Sequence, residues 1–178
     1  FYGASQFNAN LSNWNVSAVE DMEAMFSGAL AFAGDLSSWD TSKVKSMRGM
    51  FAAASQFRSD VANWDTSLVE DMEAMFRLVY EFDSDLSLWK TSKVTTMESM
   101  FEEATRFNSD ISKWNTRSVT NMKRMLYGAA EFNQSLCEWG DSFPYRYATD
   151  IFLDSGCTFQ NDPSTTRRGP FCASLCID

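Results

Sequence analysis

Residues 35–51 read DLSSWDTSKVKSMRGMF and residues 60–76 read DVANWDTSLVEDMEAMF. Overlaid at a shift of 25 residues, they share an Asp, the Trp, the Asp-Thr-Ser triplet, the Val, both Met and the Phe. The same shift organises most of the chain. All six tryptophans fall on it, at Trp14, Trp39, Trp64, Trp89, Trp114 and Trp139. All ten methionines occupy two further columns, one running from Met22 to Met122 and the other from Met25 to Met125. Phenylalanine forms two columns as well, Phe1 to Phe101 and Phe7 to Phe132, and a branched aliphatic column runs Leu11, Leu36, Val61, Leu86, Ile111, Leu136. A fixed period of roughly 20 to 50 residues marks an array in which no unit buries its apolar face alone and stacked neighbours share one core.

Within a unit, Val44, Met47, Met50, Phe51 and Ala54 lie at i, i+3, i+6, i+7 and i+10, the spacing of one helical stripe. Ser17 with Glu20 and Ser67 with Glu70 fit the capping box that opens a helix. The other half of the unit, such as GDLSSW or SDVANW, predicts a short strand between turn formers. The expectation is therefore an α/β fold: a right-handed, leucine-rich-repeat-like solenoid with one short parallel strand and one helix per 25-residue coil. The repeat solenoid is assigned to residues 1–139. Because the chain opens at Phe1 in mid-repeat, a further N-terminal part is expected ahead of it.

After Trp139 the sequence departs from the period, since Pro144 and Asp150 take the positions expected for Val and the second Met. Residues 140–178 read as a C-terminal cap over the open end of the array. The four cysteines, Cys137, Cys157, Cys172 and Cys176, sit in this last part and show no C-x-x-C pair, so two disulfides are expected rather than zinc. Four cysteines allow three connectivities. Cys137 with Cys157 and Cys172 with Cys176 is the preferred one. Disulfides place the protein outside the cell or at its surface.

Composition narrows the function. A net charge of -9 repels polyphosphate and anionic lipid, which excludes nucleic acid as a partner. No apolar run reaches the roughly 18 residues needed to span a bilayer. With no histidine, and with no G-x-S-x-G or phosphate-cradling glycine loop, nothing points to an enzyme, a cofactor or a catalytic residue, and no metal ligand set stands out. Carboxylates recur at Asp35, Asp60, Asp85 and Asp110, where turn capping is the plain account and a calcium ladder the alternative. The tryptophan ladder reads as a core column, with a sugar-stacking platform as the alternative. Threonines at Thr41, Thr66, Thr91 and Thr116 read as turn and cap residues. Glu20, Lys45, Glu70 and Glu23, Arg48, Glu73 alternate in sign from unit to unit, so neighbouring units attract across the outer face.

The unit F-N-x-x-L-S-x-W-x-x-S-x-V-x-x-M-x-x-M-F-x-x-A, carried most fully by residues 7–29, resembles the BspA-like leucine-rich repeat surface proteins with their lipoprotein-associated repeats of about 25 residues. The resemblance implies a horseshoe or rod on secreted or surface-anchored proteins, used for adhesion or protein recognition. It departs from ordinary leucine-rich repeats, since Trp, Met and Phe stand in place of leucine. The cysteine region lies outside the bacterial pattern and looks like the capping device of an exported eukaryotic relative.

Function is expected on the positions that drift while their neighbours stay fixed. These flank the Trp column on the anticipated strand side: Asn13, Ser38, Asn63, Leu88 and Lys113 before it, and Asn15, Asp40, Asp65, Lys90 and Asn115 after it. The expected role is non-catalytic recognition or adhesion with a protein partner. A calcium- or glycan-binding scaffold built on the Asp and Trp columns, or a structural spacer, is the alternative.

Overall fold

The computed structural model describes residues 1–164 and 169–176. Successive 25-residue units do stack, but not as helices over strands. Among the described residues there is no α-helix, and the regular elements are two 3-10 turns, Cys137–Trp139 and Tyr145–Tyr147. Pairing between units is confined to isolated parallel bridges, Asp21 to Ser46, Ser46 to Asp71, Asp71 to Thr96 and Thr96 to Asn121. The α/β leucine-rich-repeat-like solenoid expected from the sequence is thereby overturned. Both halves of the expected unit change: the bridges lie inside the stretch assigned to the helix, and GDLSSW holds no strand.

Hydrogen bonding explains the difference. In the stretch expected to be helical, alternate amides leave the coil. Met47, Gly49, Phe51 and Ala53 donate to the carbonyls of Asp71, Glu73, Met75 and Arg77 in the next coil, at 2.7 to 2.9 Å. The amides between them close turns within the coil, as Met50 to Met47, Ala52 to Gly49 and Ala54 to Phe51. The segment is thus a run of consecutive turns laid flat against its neighbours, with donors satisfied both locally and between coils. Such a path needs left-handed residues, and two columns supply them. One runs Ala24, Gly49, Ala74, Ser99, Arg124 with φ between 51° and 56°. The other runs Gly28, Ala53, Leu78, Glu103, Gly128 with φ between 59° and 72°. Left-handed residues of this kind cannot sit inside a right-handed helix. The expected capping boxes dissolve with the helices: the Ser17 amide donates to Asn15 Oδ1, and Glu20 reaches Lys45 in the next coil.

The core runs along the stack axis. Phe26, Phe51, Phe76 and Phe101 lie one above the next with centroids 5.5 to 5.7 Å apart and planes within 8° of parallel. The second phenylalanine column stacks beside it, as Phe51 on Phe57 at 3.8 Å and Phe76 on Phe82 at 3.9 Å. From the second coil on, the methionine columns and the valine column are fully enclosed or nearly so. Each buried indole also ties two coils together. Nε1 of Trp39, Trp64, Trp89 and Trp114 donates at 3.0 to 3.1 Å to the carbonyl of the aliphatic residue 28 positions earlier. The threonine column is buried rather than capping: Thr41, Thr66 and Thr91 donate Oγ1 to the carbonyls of Asp65, Lys90 and Asn115, one coil on.

The period does not stop at Trp139. It slips by one residue. Met122, Arg124, Leu126 and Gly128 donate to Tyr147, Thr149, Ile151 and Leu153, a step of 25 where the same bonds in earlier coils step by 24. Ala148, Ile151 and Phe152 consequently fill the core positions 26 residues beyond Met122, Met125 and Leu126, and left-handed Asp150 and Asp154 continue both turn columns. Beyond this coil the chain folds back. Cys172 pairs antiparallel with Ser135 and with Phe159, which sets it beside Cys157. The disulfides are Cys137–Cys176 and Cys157–Cys172, with Cα separations of 5.3 and 4.6 Å. The preferred pairing of Cys137 with Cys157 and Cys172 with Cys176 is therefore replaced by a nested one.

Candidate recognition strip

The two variable columns come together as one strip on the row of turns around tryptophan. In each coil from the second on, the Trp side chain turns into the core, so the residues before and after it are pushed outward on either side. Asn13, Ser38, Asn63, Leu88 and Lys113 are all exposed, and so are Asn15, Asp40, Lys90 and Asn115, while Asp65 is half-buried. No strand underlies the strip. Its backbone is held by turns such as Trp64 N–H to the Val61 carbonyl and by the indole bonds beneath.

Along the strip the chemistry changes. The early coils present amide and hydroxyl groups, with Ser38 Oγ donating to the Ser12 carbonyl. Asp40 follows, its carboxyl held below the ordinary range by hydrogen bonds from the hydroxyl and amide of Ser42. Asp65 is lowered in the same way by Ser67, with Lys90 adding attraction at 3.8 Å. Leu88 then stands 77% exposed, a bare isobutyl group with Lys90 two residues on. Lys113 closes the strip in an ion pair with Glu138, which holds its ammonium above the ordinary range. Glu138 also lines a cavity of about 870 Å³, which runs beside the Cys137–Cys176 disulfide together with Asp141, Phe159 and Leu175. Sequence reasoning missed that cavity, because it forms only where the tail folds back.

The alternatives fare differently. Asp35, Asp60, Asp85 and Asp110 each accept the amide two residues on at 2.9 Å, the turn-holding role. Ser84 and Ser109 add hydroxyl bonds to Asp60 and Asp85. Among the described residues no group of three or more His, Cys, Asp or Glu side chains is placed to hold a metal ion. Of the tryptophans, only Trp14 offers a ring to solvent, at 50% exposure. A ladder of sugar-stacking faces is therefore not displayed. Every buried side-chain nitrogen or oxygen among the described residues has a partner, so no enclosed polar group waits for a small ligand.

One buried charge was also missed. Glu102 is 6% exposed and lies between Arg77 at 3.5 Å and Arg124 at 3.0 Å. Burial alone would raise its carboxyl, but hydrogen bonds from Arg124 and Ser99 and the two positive charges outweigh it and hold it below the ordinary range. Its column runs Ser27, Ala52, Arg77, Glu102, Tyr127, and the arrival of opposite charges in successive coils was the available signal.

No helix among the described residues is long and apolar enough to cross a membrane. The two disulfides are compatible with an extracellular or secreted protein. A family model described as "Mycoplasma protein of unknown function, DUF285" matches residues 1–77 and again residues 57–162. No curated protein and no solved structure matches the chain.

Proposed function

Because the chain belongs to the DUF285 family, whose description assigns no activity, we propose a function from the surface itself: a non-catalytic, extracellular recognition or adhesion module that binds a protein partner along the tryptophan-flanking strip. The observation that carries this reading is the contrast within each coil. The indole is fixed and enclosed, while the side chains on either side of it are exposed and change in size and charge from coil to coil. A spacer has no need of a bare Leu88 in that row, whereas protein interfaces concentrate their affinity in a few apolar and cationic anchors ringed by polar groups. Asp40 and Asp65 on one side of Leu88, and Lys90 and Lys113 on the other, give the strip a polarity that a partner of opposite pattern can register.

The test is binding of the purified chain to intact cells and to arrayed cell-surface proteins, with wild type against Leu88→Ser/Lys90→Ser. The variant should bind at least about 10-fold more weakly, as expected for the loss of two anchors. Its melting temperature should be unchanged, because both side chains stand clear of the core. Equal binding by the two proteins rules out this strip.

A further inference from the structure

The chain contains three Asn-X-Ser triplets: Asn10-Leu11-Ser12, Asn15-Val16-Ser17 and Asn133-Gln134-Ser135. In a chain this rich in Asn and Ser the pattern alone selects nothing, but the three sit in different geometries.

At Asn15 the side-chain carbonyl accepts twice from Ser17, from the amide at 3.1 Å and from the hydroxyl at 2.8 Å. Asn15 is exposed, and its Nδ2 has no hydrogen bond among the described residues. The fold does not need that nitrogen. In the next two coils Asp40 and Asp65 stand at the same place and hold the same turn, accepting the amides of Ser42 and Ser67 at 3.1 and 3.0 Å. A carboxylate therefore does the structural work as well, and Asn15 adds only a free amide nitrogen beside a hydroxyl. Asn115, later in the same column, is followed by Thr116-Arg117 and lacks the hydroxyl at the third position. Asn10 accepts only the Ser12 amide. Asn133 is built into the tail junction: its Oδ1 takes the Thr158 amide, Gln134 is bound to Asn108, and Ser135 pairs with Cys172.

We propose that Asn15 is the acceptor of an N-linked glycan, an inference that rests on the export reading above. The turn from Asn15 to Ser17 closes within three residues, so it forms in the nascent chain before the coil has packed. The transfer is a displacement. Nδ2 attacks the anomeric carbon of an oligosaccharide carried on a lipid diphosphate; the Nδ2–C1 bond forms, the C1–O bond breaks, the lipid diphosphate leaves with the electron pair, and Nδ2 gives up one proton. The donor and the transferring enzyme belong to the secretory route, and no oxidant or reductant is involved. The attached glycan would cover the strip around Asn13, leaving Leu88 and Lys90, three coils away, open to the partner.

The experiment is to secrete the full chain from a eukaryotic cell, measure its non-reduced intact mass, and then release N-glycans enzymatically in heavy-oxygen water, which marks a formerly glycosylated Asn as labelled Asp. Label at Asn15 is expected, and Asn15→Asp, which keeps the turn as in the two following coils, should remove one glycan-sized step of mass. Ser17→Ala should remove the same step. Unlabelled Asn15 in chains whose two disulfides have formed overturns the assignment and leaves the export reading standing. Free thiols throughout the secreted chain would overturn the export reading and this inference with it.

Discussion

The regular coils and the C-terminal region solve one packing problem in opposite ways. Between Phe26 and Phe132 the rings within each column are parallel, because one conformation repeated by translation can only set like on like. In the C-terminal region, where the period slips and the chain folds back, Phe143 meets Tyr145 at 78° and Phe171 at 85°, the edge-to-face arrangement that isolated aromatic groups prefer. The regular coils are closed by hydrogen bonds one period apart, whereas the tail is closed by two covalent bonds. Where the repeat supplies a neighbour of known shape, weak bonds in register suffice. Where it ends, the chain needs cross-links to hold a unique geometry.

The sharpest way to separate the two regions is to cut the cross-links. Replacing Cys157 and Cys172 with Ser should cost about 3 kcal/mol, as expected for a link across 15 residues, and the larger Cys137–Cys176 loop of 39 residues should cost about 4. Hydrogen exchange should then show the loss in residues 140–164 and the last coil while the amides of Met47 to Ala53 stay protected. Equal loss of protection along the whole chain would show that the two regions form one cooperative unit.

A smaller effect lies within the regular coils. Glu102, with Arg77 and Arg124 around it, is an ion network specific to one level of the stack. Glu102→Gln should lower stability by about 1 to 2 kcal/mol at neutral pH, the worth of a charge-assisted hydrogen bond with partners partly open to water. The folded carboxyl titrates below its ordinary value, so its contribution is complete above the ordinary carboxylate range and is lost as pH falls through the folded value. The gap between wild type and variant, followed by urea unfolding, should therefore close on acidification. A gap independent of pH would show that the charge contributes nothing.

How far the sequence foretold this follows from the same comparison. The columns were legible, since a spacing of 25 in Trp, Met and Phe leaves little room for another register. The backbone path was not, because turns and helices share the i, i+3 spacing. A wider window holds the distinguishing signal. With Thr41 and Phe57 added to Val44, Met47, Met50, Phe51 and Ala54, the buried positions would spread over about 200° of a helix, too broad for one stripe. Gly28, Gly49 and Gly128, inside the supposed helices, pointed the same way. The tail was misread because a single extra residue hides a coil from any search at fixed period. The cysteine pairing depended on a fold-back that no local pattern encodes. The outward placement of the tryptophan-flanking residues was legible as variation next to constancy, although the turns beneath them were not.

If the Met-rich half of each coil is a run of turns with left-handed residues at fixed places, Ala74, at φ 54°, should tolerate glycine without loss. Its stability should be compared with that of Ala74→Gly by denaturant unfolding. Glycine relieves a left-handed strain of about 1 to 2 kcal/mol and gives back part of the gain as chain entropy, so the variant should be as stable as wild type or more stable, by up to about 1 kcal/mol. A loss of about 1 kcal/mol, the cost of glycine inside an ordinary helix, would mean that this segment is helical and not a run of turns.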